Sequence, residues 1–248
     1  LHAQLGAKPE FMRLFAKEAK VGSVVGDSEN IVQVFDAGFD PSRGLPFIVM
    51  ELLEGETLER ALNRGAFAAD DARAMLAQLG NALAQAHASG VVHRDLKPSN
   101  LFLTQRDGAP WLKVMDFGIA KVLEEEALRT ATQIGTPAYT APEQMGSTTR
   151  RLAARQGITI ARGISAATDV WAIGLIAYEM LTGQRPGQYW GIETMTELPM
   201  KIAFEELDGA SVRAGDKAHL LPAGFDNWFA CCMNKNADER YPDARAAT

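Results

Sequence analysis

Nine residues, Val92-His93-Arg94-Asp95-Leu96-Lys97-Pro98-Ser99-Asn100, set an acid, a base and a carboxamide almost side by side. These are the side-chain types that can aim and deprotonate a hydroxyl, place a cation beside a forming anion, and turn an oxygen toward a metal. Ahead of them lies a long amphipathic segment, and after them the apolar run Leu101-Phe102-Leu103. That placing predicts a loop held rigid between a helix and a short strand. Farther along stand Asp116-Phe117-Gly118, Gly135-Thr136-Pro137, Ala141-Pro142-Glu143 and Asp169. Any one of these short blocks recurs by chance in many chains; their joint occurrence in this order is specific.

In that order the blocks resemble the signature set of protein kinases. The chain is similar to the eukaryotic-like serine/threonine protein kinases of bacteria, from about Phe11 to its last residue. The resemblance implies an α+β, protein-kinase-like bilobal fold. Residues 1–52 would form a partial small β lobe of one helix and two strands, and residues 53–248 a mostly helical large lobe. It implies transfer of the ATP γ-phosphate to Ser/Thr hydroxyls of protein substrates, a reaction that rests on positioning and charge neutralisation. Asp95 then fits the base and Lys97 the cation that reaches the transferring phosphate. Asn100 and Asp116 fit the ligands of Mg²⁺, a hard cation that takes oxygen donors. Backbone groups of Glu51 (C=O) and Leu53 (N–H) would hold the adenine, with Met50 limiting the depth of its pocket. His93, Phe117, Glu143 and Asp169 resemble residues that hold the loops in place, with Glu143 paired to Arg240. Arg94 would receive a phosphate carried by Thr130 or Thr132, because a phosphothreonine can form charge-assisted bonds to an arginine. Lys97 and Thr136 resemble the serine/threonine type, and the Ala-Pro-Glu block argues against small-molecule phosphotransferases.

Composition is compatible with this. Hydrophobic residues make up 47% of the chain and charged residues 23%, as in soluble globular domains. The net charge of −6 gives no electrostatic footprint for nucleic acid. No apolar run approaches the roughly 20 residues of a membrane span, and no signal-peptide pattern opens the chain. Adjacent Cys231 and Cys232 read as buried thiols in a reducing, cytoplasmic setting.

The elements that must position the chemistry are read from periodicity. A helix is predicted over 9–21, with Glu18 matching the acid that kinases pair with a strand lysine. Strands are predicted over 30–38 and 46–52, then helices over 57–63, with a Thr cap, and 70–89. His87 on the latter reads as packed or partly solvated rather than catalytic. Strands over 100–103 and 111–115 flank a turn at Asp107-Gly108. Residues 119–140 show no clean period. Residues 168–182 are apolar nearly all round, which predicts a buried central helix. Helices are also predicted over 195–207 and 225–233.

Two departures stand out. Gly6, Gly22 and Gly26 do not form a glycine-rich phosphate loop, no Val-Ala-x-Lys strand is present, and Lys8 lies only ten residues before Glu18. Read as a fragment of a kinase, the chain would bind ATP poorly and transfer no phosphate as it stands. Read as a natural protein without that roof, it would be a non-catalytic scaffold binding partner proteins. The stretch 146–167 is longer than the usual link before the central helix. Arg150, Arg151, Arg155 and Arg162 make it basic, either as a surface loop or as a docking element.

Overall fold

The computed structural model describes residues 28–40, 42–43, 45–117, 137–145, 147–161, 163–192, 194 and 197–248. The predicted helix at 9–21, Glu18, Lys8, Gly118, Thr130, Thr132 and Thr136 lie outside the described residues.

Strand β1 (Val34–Asp40) pairs antiparallel with β2 (Leu45–Met50), with a register shift between Val34 and Asp36. The Asp40 carboxylate closes the hairpin by accepting from Ser42 N at 2.9 Å and Ser42 Oγ at 2.6 Å, a local bond that favours a turn. The two-residue strand β3 (Glu56–Thr57) leads into helix α1 (Leu58–Leu62). The Thr57 hydroxyl accepts from Arg60 N at 3.2 Å, the predicted cap. Helix α2 (Ala69–Ala88) buries Met75, Leu79, Leu83 and Ala86, a stripe at three- and four-residue spacing that faces the core.

Strands β4 (Leu101–Arg106) and β5 (Ala109–Val114) form a hairpin beside β3. Asp107 and Gly108 both have positive φ (52° and 79°), as a two-residue turn between right-twisted strands requires. Helix α3 (Ser147–Arg155) precedes α4 (Ala166–Thr182), which is buried along its whole length and capped by left-handed Gly183. Short helices α5 (Pro186–Trp190), α6 (Leu198–Phe204) and α7 (Ala210–Ala214) follow, then α8 (Phe225–Cys232) and α9 (Ala244–Ala247).

Helix α4 is the axis of the core. Its Trp171 stacks on Trp190 of α5, and Tyr178 meets Tyr189 edge-on at 5.2 Å and Phe229 of α8 at 5.7 Å. Offset and edge-on pairs of this kind add to the burial of large apolar area.

The structure corrects several expectations. The first strand begins at Val34, not residue 30. Residues 30–32 instead meet β5, through Val32 N to Val114 O at 2.9 Å and Val114 N to Asn30 O at 2.8 Å. The helix expected over 195–207 is confined to Leu198–Phe204. The stretch 146–167 carries helix α3, which a search for apolar stripes misses because only Ala153 of its described side chains is fully buried. Cys232 is buried as expected, but Cys231 is partly exposed.

Candidate active site

Helix α2 ends at Ala88, left-handed Gly90 turns the chain (φ 74°), and residues 91–97 run into a 3₁₀ turn, Pro98–Asn100, that delivers β4. Arg94 sits in the left-handed region at φ 70°, costly for a side chain with a Cβ. The Asp169 carboxylate holds that conformation. It accepts from His93 N at 2.9 Å and Arg94 N at 2.9 Å. Asp169 lies in the first turn of α4, where the helix dipole favours negative charge. His87 Nε2 bonds the same carboxylate at 2.8 Å, so α2, α4 and the loop meet at one buried acid.

His93 is fully buried and acts as the loop's second anchor. Its Nε2 lies 2.8 Å from the Met115 carbonyl, and its Nδ1 accepts from Asp95 N at 3.3 Å. A carbonyl cannot donate and a backbone N–H cannot accept, so the proton belongs on Nε2 and the ring is the neutral tautomer. The ring packs on Phe117 at 4.8 Å. One imidazole thus fixes both Asp95 and the segment that carries Asp116.

Lys97 Nζ donates to Asp95 Oδ2 at 2.7 Å. The Asn100 amide donates to Asp95 O at 2.8 Å and to Oδ2 at 3.2 Å. Asp95 Oδ2 is therefore engaged, while Oδ1 has no protein partner among the described residues. Because the Asn100 nitrogen is spent on Asp95, its carboxamide oxygen is left to act as a ligand. Met115 N bonds Asn100 O at 2.9 Å, which ties this loop to Asp116. Asp116 also has positive φ, 60°. Burial by the surrounding protein pushes its carboxyl up, the Asp95 carboxylate adds to that push, and the Lys97 ammonium pulls it down. The side chain itself opens to solvent, and water moderates the shift.

Asp95, Lys97, Asn100 and Asp116 are thus brought together. Glu51 and Leu53 lie just past β2. Glu51 N donates to Gln33 O at 2.9 Å, and its side chain takes Gln33 N at 2.8 Å and Lys113 Nζ at 2.6 Å. The Glu51 carbonyl and Leu53 N–H carry no hydrogen bond among the described residues. Sequence reasoning missed Lys113 and Gln144. Gln144 Nε2 donates to Arg94 O at 2.6 Å, joining the turn at 142–144 to the loop. Neither stands out in type or spacing. Glu143 and Arg240 pair through two bonds, of 2.8 and 2.9 Å, with both side chains fully buried.

Among the described residues, no cluster of three His, Cys, Asp or Glu could enclose a metal. The residues present still fit Mg²⁺. It takes one or two protein oxygens and completes its shell with water and substrate phosphate, and the Asn100 oxygen and Asp116 carboxylate are such a pair.

This cluster of carboxylates, lysine and carboxamide is carried on an α+β scaffold. The sequence matches the protein kinase domain over residues 5–241, and the chain belongs to that family. It is 41% identical over 189 residues to the serine/threonine-protein kinase Pkn1 of Myxococcus xanthus, covering 75% of this chain and 25% of that protein. It is 33% identical over 256 residues to PksC of Streptomyces coelicolor, covering 99% and 42%. It is 34% identical over 239 residues to PknL of Mycobacterium tuberculosis, covering 96% and 53%. The chain thus spans between a quarter and about half the length of these curated relatives. Among solved structures, the PknI kinase domain of Mycobacterium tuberculosis matches with a TM-score of 0.66 at 21% identity, over 100% of this chain and 80% of that one. Rad53 in complex with AMP-PNP matches with a TM-score of 0.67 at 23% identity, over 92% and 52%. These likenesses establish the bilobal kinase fold.

Proposed function

We propose that the protein is a serine/threonine protein kinase that moves the γ-phosphate of ATP to hydroxyls of other proteins. The observation that carries this is the Asp95 carboxylate, with one oxygen held by Lys97 and Asn100 and the other open. Asp95 Oδ1 would accept the proton of the incoming serine or threonine hydroxyl and aim its oxygen. Lys97 Nζ, restrained by Asp95, would offer a cation to the phosphoryl oxygens. Asn100 and Asp116 would hold Mg²⁺, which when bound neutralises charge between the phosphates. The Glu51 carbonyl and Leu53 N–H would hold the adenine edge, since both are open to a ligand. We read residues 1–52 as part of the small lobe and 53–248 as the large lobe, because the open backbone groups fall between β2 and α1. A cytoplasmic setting follows from the use of ATP. Among the described residues no helix is long and apolar enough to cross a membrane.

The test is radiolabel transfer by the full-length gene product with ATP and Mg²⁺. Wild-type protein should label protein substrates on Ser or Thr. Asp95→Asn should fall by roughly 10² or more, since general-base catalysis contributes about 10²–10⁴. Asp116→Asn should abolish the Mg²⁺-dependent transfer while leaving the fold intact. Wild-type protein that transfers nothing while holding partner proteins would overturn the reading in favour of a scaffold.

A further inference from the structure

Helix α3 (Ser147–Arg155) has two unlike faces. Its inner side is anchored by fully buried Ala153 and by Arg150, whose Nη1 donates to the Glu143 carbonyl at 3.0 Å. It packs against α6. Its outer side exposes Thr148, Arg151, Leu152 and Arg155, spaced as one continuous helical stripe. Arg151 and Arg155 make no hydrogen bond or ion pair among the described residues. Leu152 between them is 40% exposed.

The local charge balance opposes that of the whole chain. Residues 144–168 hold four arginines and no acidic residue, in a protein of net charge −6. Two exposed cations one turn apart bracket an apolar side chain, on a helix whose base is fixed. Glu143, which anchors Arg150, is itself locked to Arg240, and Gln144 Nε2 reaches the Arg94 carbonyl. The stripe is therefore presented rigidly, on a mount tied to the loop that carries Asp95.

We propose that the outer face of α3 is a docking site for an acidic segment of the protein substrate, with carboxylates on Arg151 and Arg155 and an apolar residue on Leu152. The apolar contact favours a peptide over a nucleic-acid backbone, which offers only phosphate and sugar there. The role in substrate capture rests on the kinase reading above; the binding itself does not. A docked segment raises the effective concentration of the hydroxyl beside Asp95, which lowers KM and leaves kcat alone.

The experiment uses the full-length protein and a fluorescein-labelled peptide rich in Asp and Glu with one central Leu, followed by anisotropy without nucleotide. Wild-type protein should bind it, more weakly as salt rises. Arg151→Glu with Arg155→Glu should weaken binding roughly tenfold or more, because like charges then face each other. Arg155 also complements the C-terminal end of the α3 dipole, so Arg151→Gln with Arg155→Gln serves as a second variant, expected to fall between the two. Equal affinity in wild type and both variants would overturn the proposal, as would tighter binding of duplex DNA than of the peptide. In a second arm, a kinase substrate carrying the acidic tract should show a raised KM and unchanged kcat in the double variants, and one without the tract no change. If no protein phosphorylates at all, the kinase reading fails, while the anisotropy arm still decides the docking site.

Discussion

The loop around Asp95 is held by residues that do none of the proposed chemistry. His93 spends both ring nitrogens on the backbone, and Asp169 spends its carboxylate on two loop amides and on His87. The sequence marked His93 and Asp169 through family resemblance, and read His87 on its helix as packed or partly solvated rather than catalytic. It could not show that all three serve one loop, because contacts across 75 or more positions leave no local period. Glu179 is a second buried acid the sequence did not flag. It lies on α4 with its carboxyl bonded to the Tyr139 hydroxyl. Burial pushes the Glu179 carboxyl up, against the pull of Tyr139 and Arg185. Between the ordinary carboxylate value and the higher folded one, the native protein keeps a proton that the unfolded chain has lost. Stability from this group is therefore full in acid and falls as pH rises through the folded value. Glu179→Gln keeps an acceptor for Tyr139 and removes the titration. Urea unfolding at a series of pH values should show the variant gaining on wild type from acid to neutral pH. A constant difference across that range would refute the assignment.

At the scale of elements, legibility followed the strength of the apolar pattern. Helix α4 is buried on every side and α2 on one, and both are legible in the sequence to within about two residues of their ends. Strand β3 and helices α3 and α9 are not, because two, nine and four residues bury too few apolar side chains to form a period. What fixes β3 is a glycine. Gly55 has φ 144°, and a Cβ built on it would lie 2.0 Å from the Leu103 carbonyl oxygen of β4. Backbone cannot swing away as a side-chain tip can, so Gly55→Ala meets both strain and overlap. The expected cost is about 1–3 kcal/mol, with faster amide exchange where Glu56 pairs with Leu103. Gly163→Ala is the control: nothing lies within 4 Å of the place its methyl would occupy, so the change should stay within about 0.5 kcal/mol. Equal melting behaviour in urea for the two variants would show that the close approach at Gly55 does not constrain β3.

Across the whole molecule, one buried ion pair joins segments 97 residues apart. Arg240 Nη1 and Nη2 clasp the Glu143 carboxylate, Nη1 also donates to Ala167 O at 2.9 Å, and Nε donates to Asn234 O at 2.6 Å. Thr168 Oγ donates to Glu143 at 2.8 Å, and the guanidinium carbon sits 5.0 Å from the Trp171 ring centre. The pair therefore gathers the turn at 142–144, the start of α4 and the C-terminal stretch around the 3₁₀ turn Ala237–Glu239. Resemblance pointed to this pairing; its satisfaction by four further contacts could be seen only in the fold. Taking two charges out of water is costly, and the attraction between them repays that cost only when their remaining hydrogen bonds are met, as here. Removing one partner leaves the other buried and uncompensated. Glu143→Ala and Arg240→Ala should each lose about 3–5 kcal/mol. Because both remove the same interaction, the double variant should lose clearly less than the two losses added together. Urea unfolding of the three variants measures the coupling. Additive losses would mean that the two residues stabilise the fold independently, and the joining of these segments would then have to be sought in the apolar packing around Trp171.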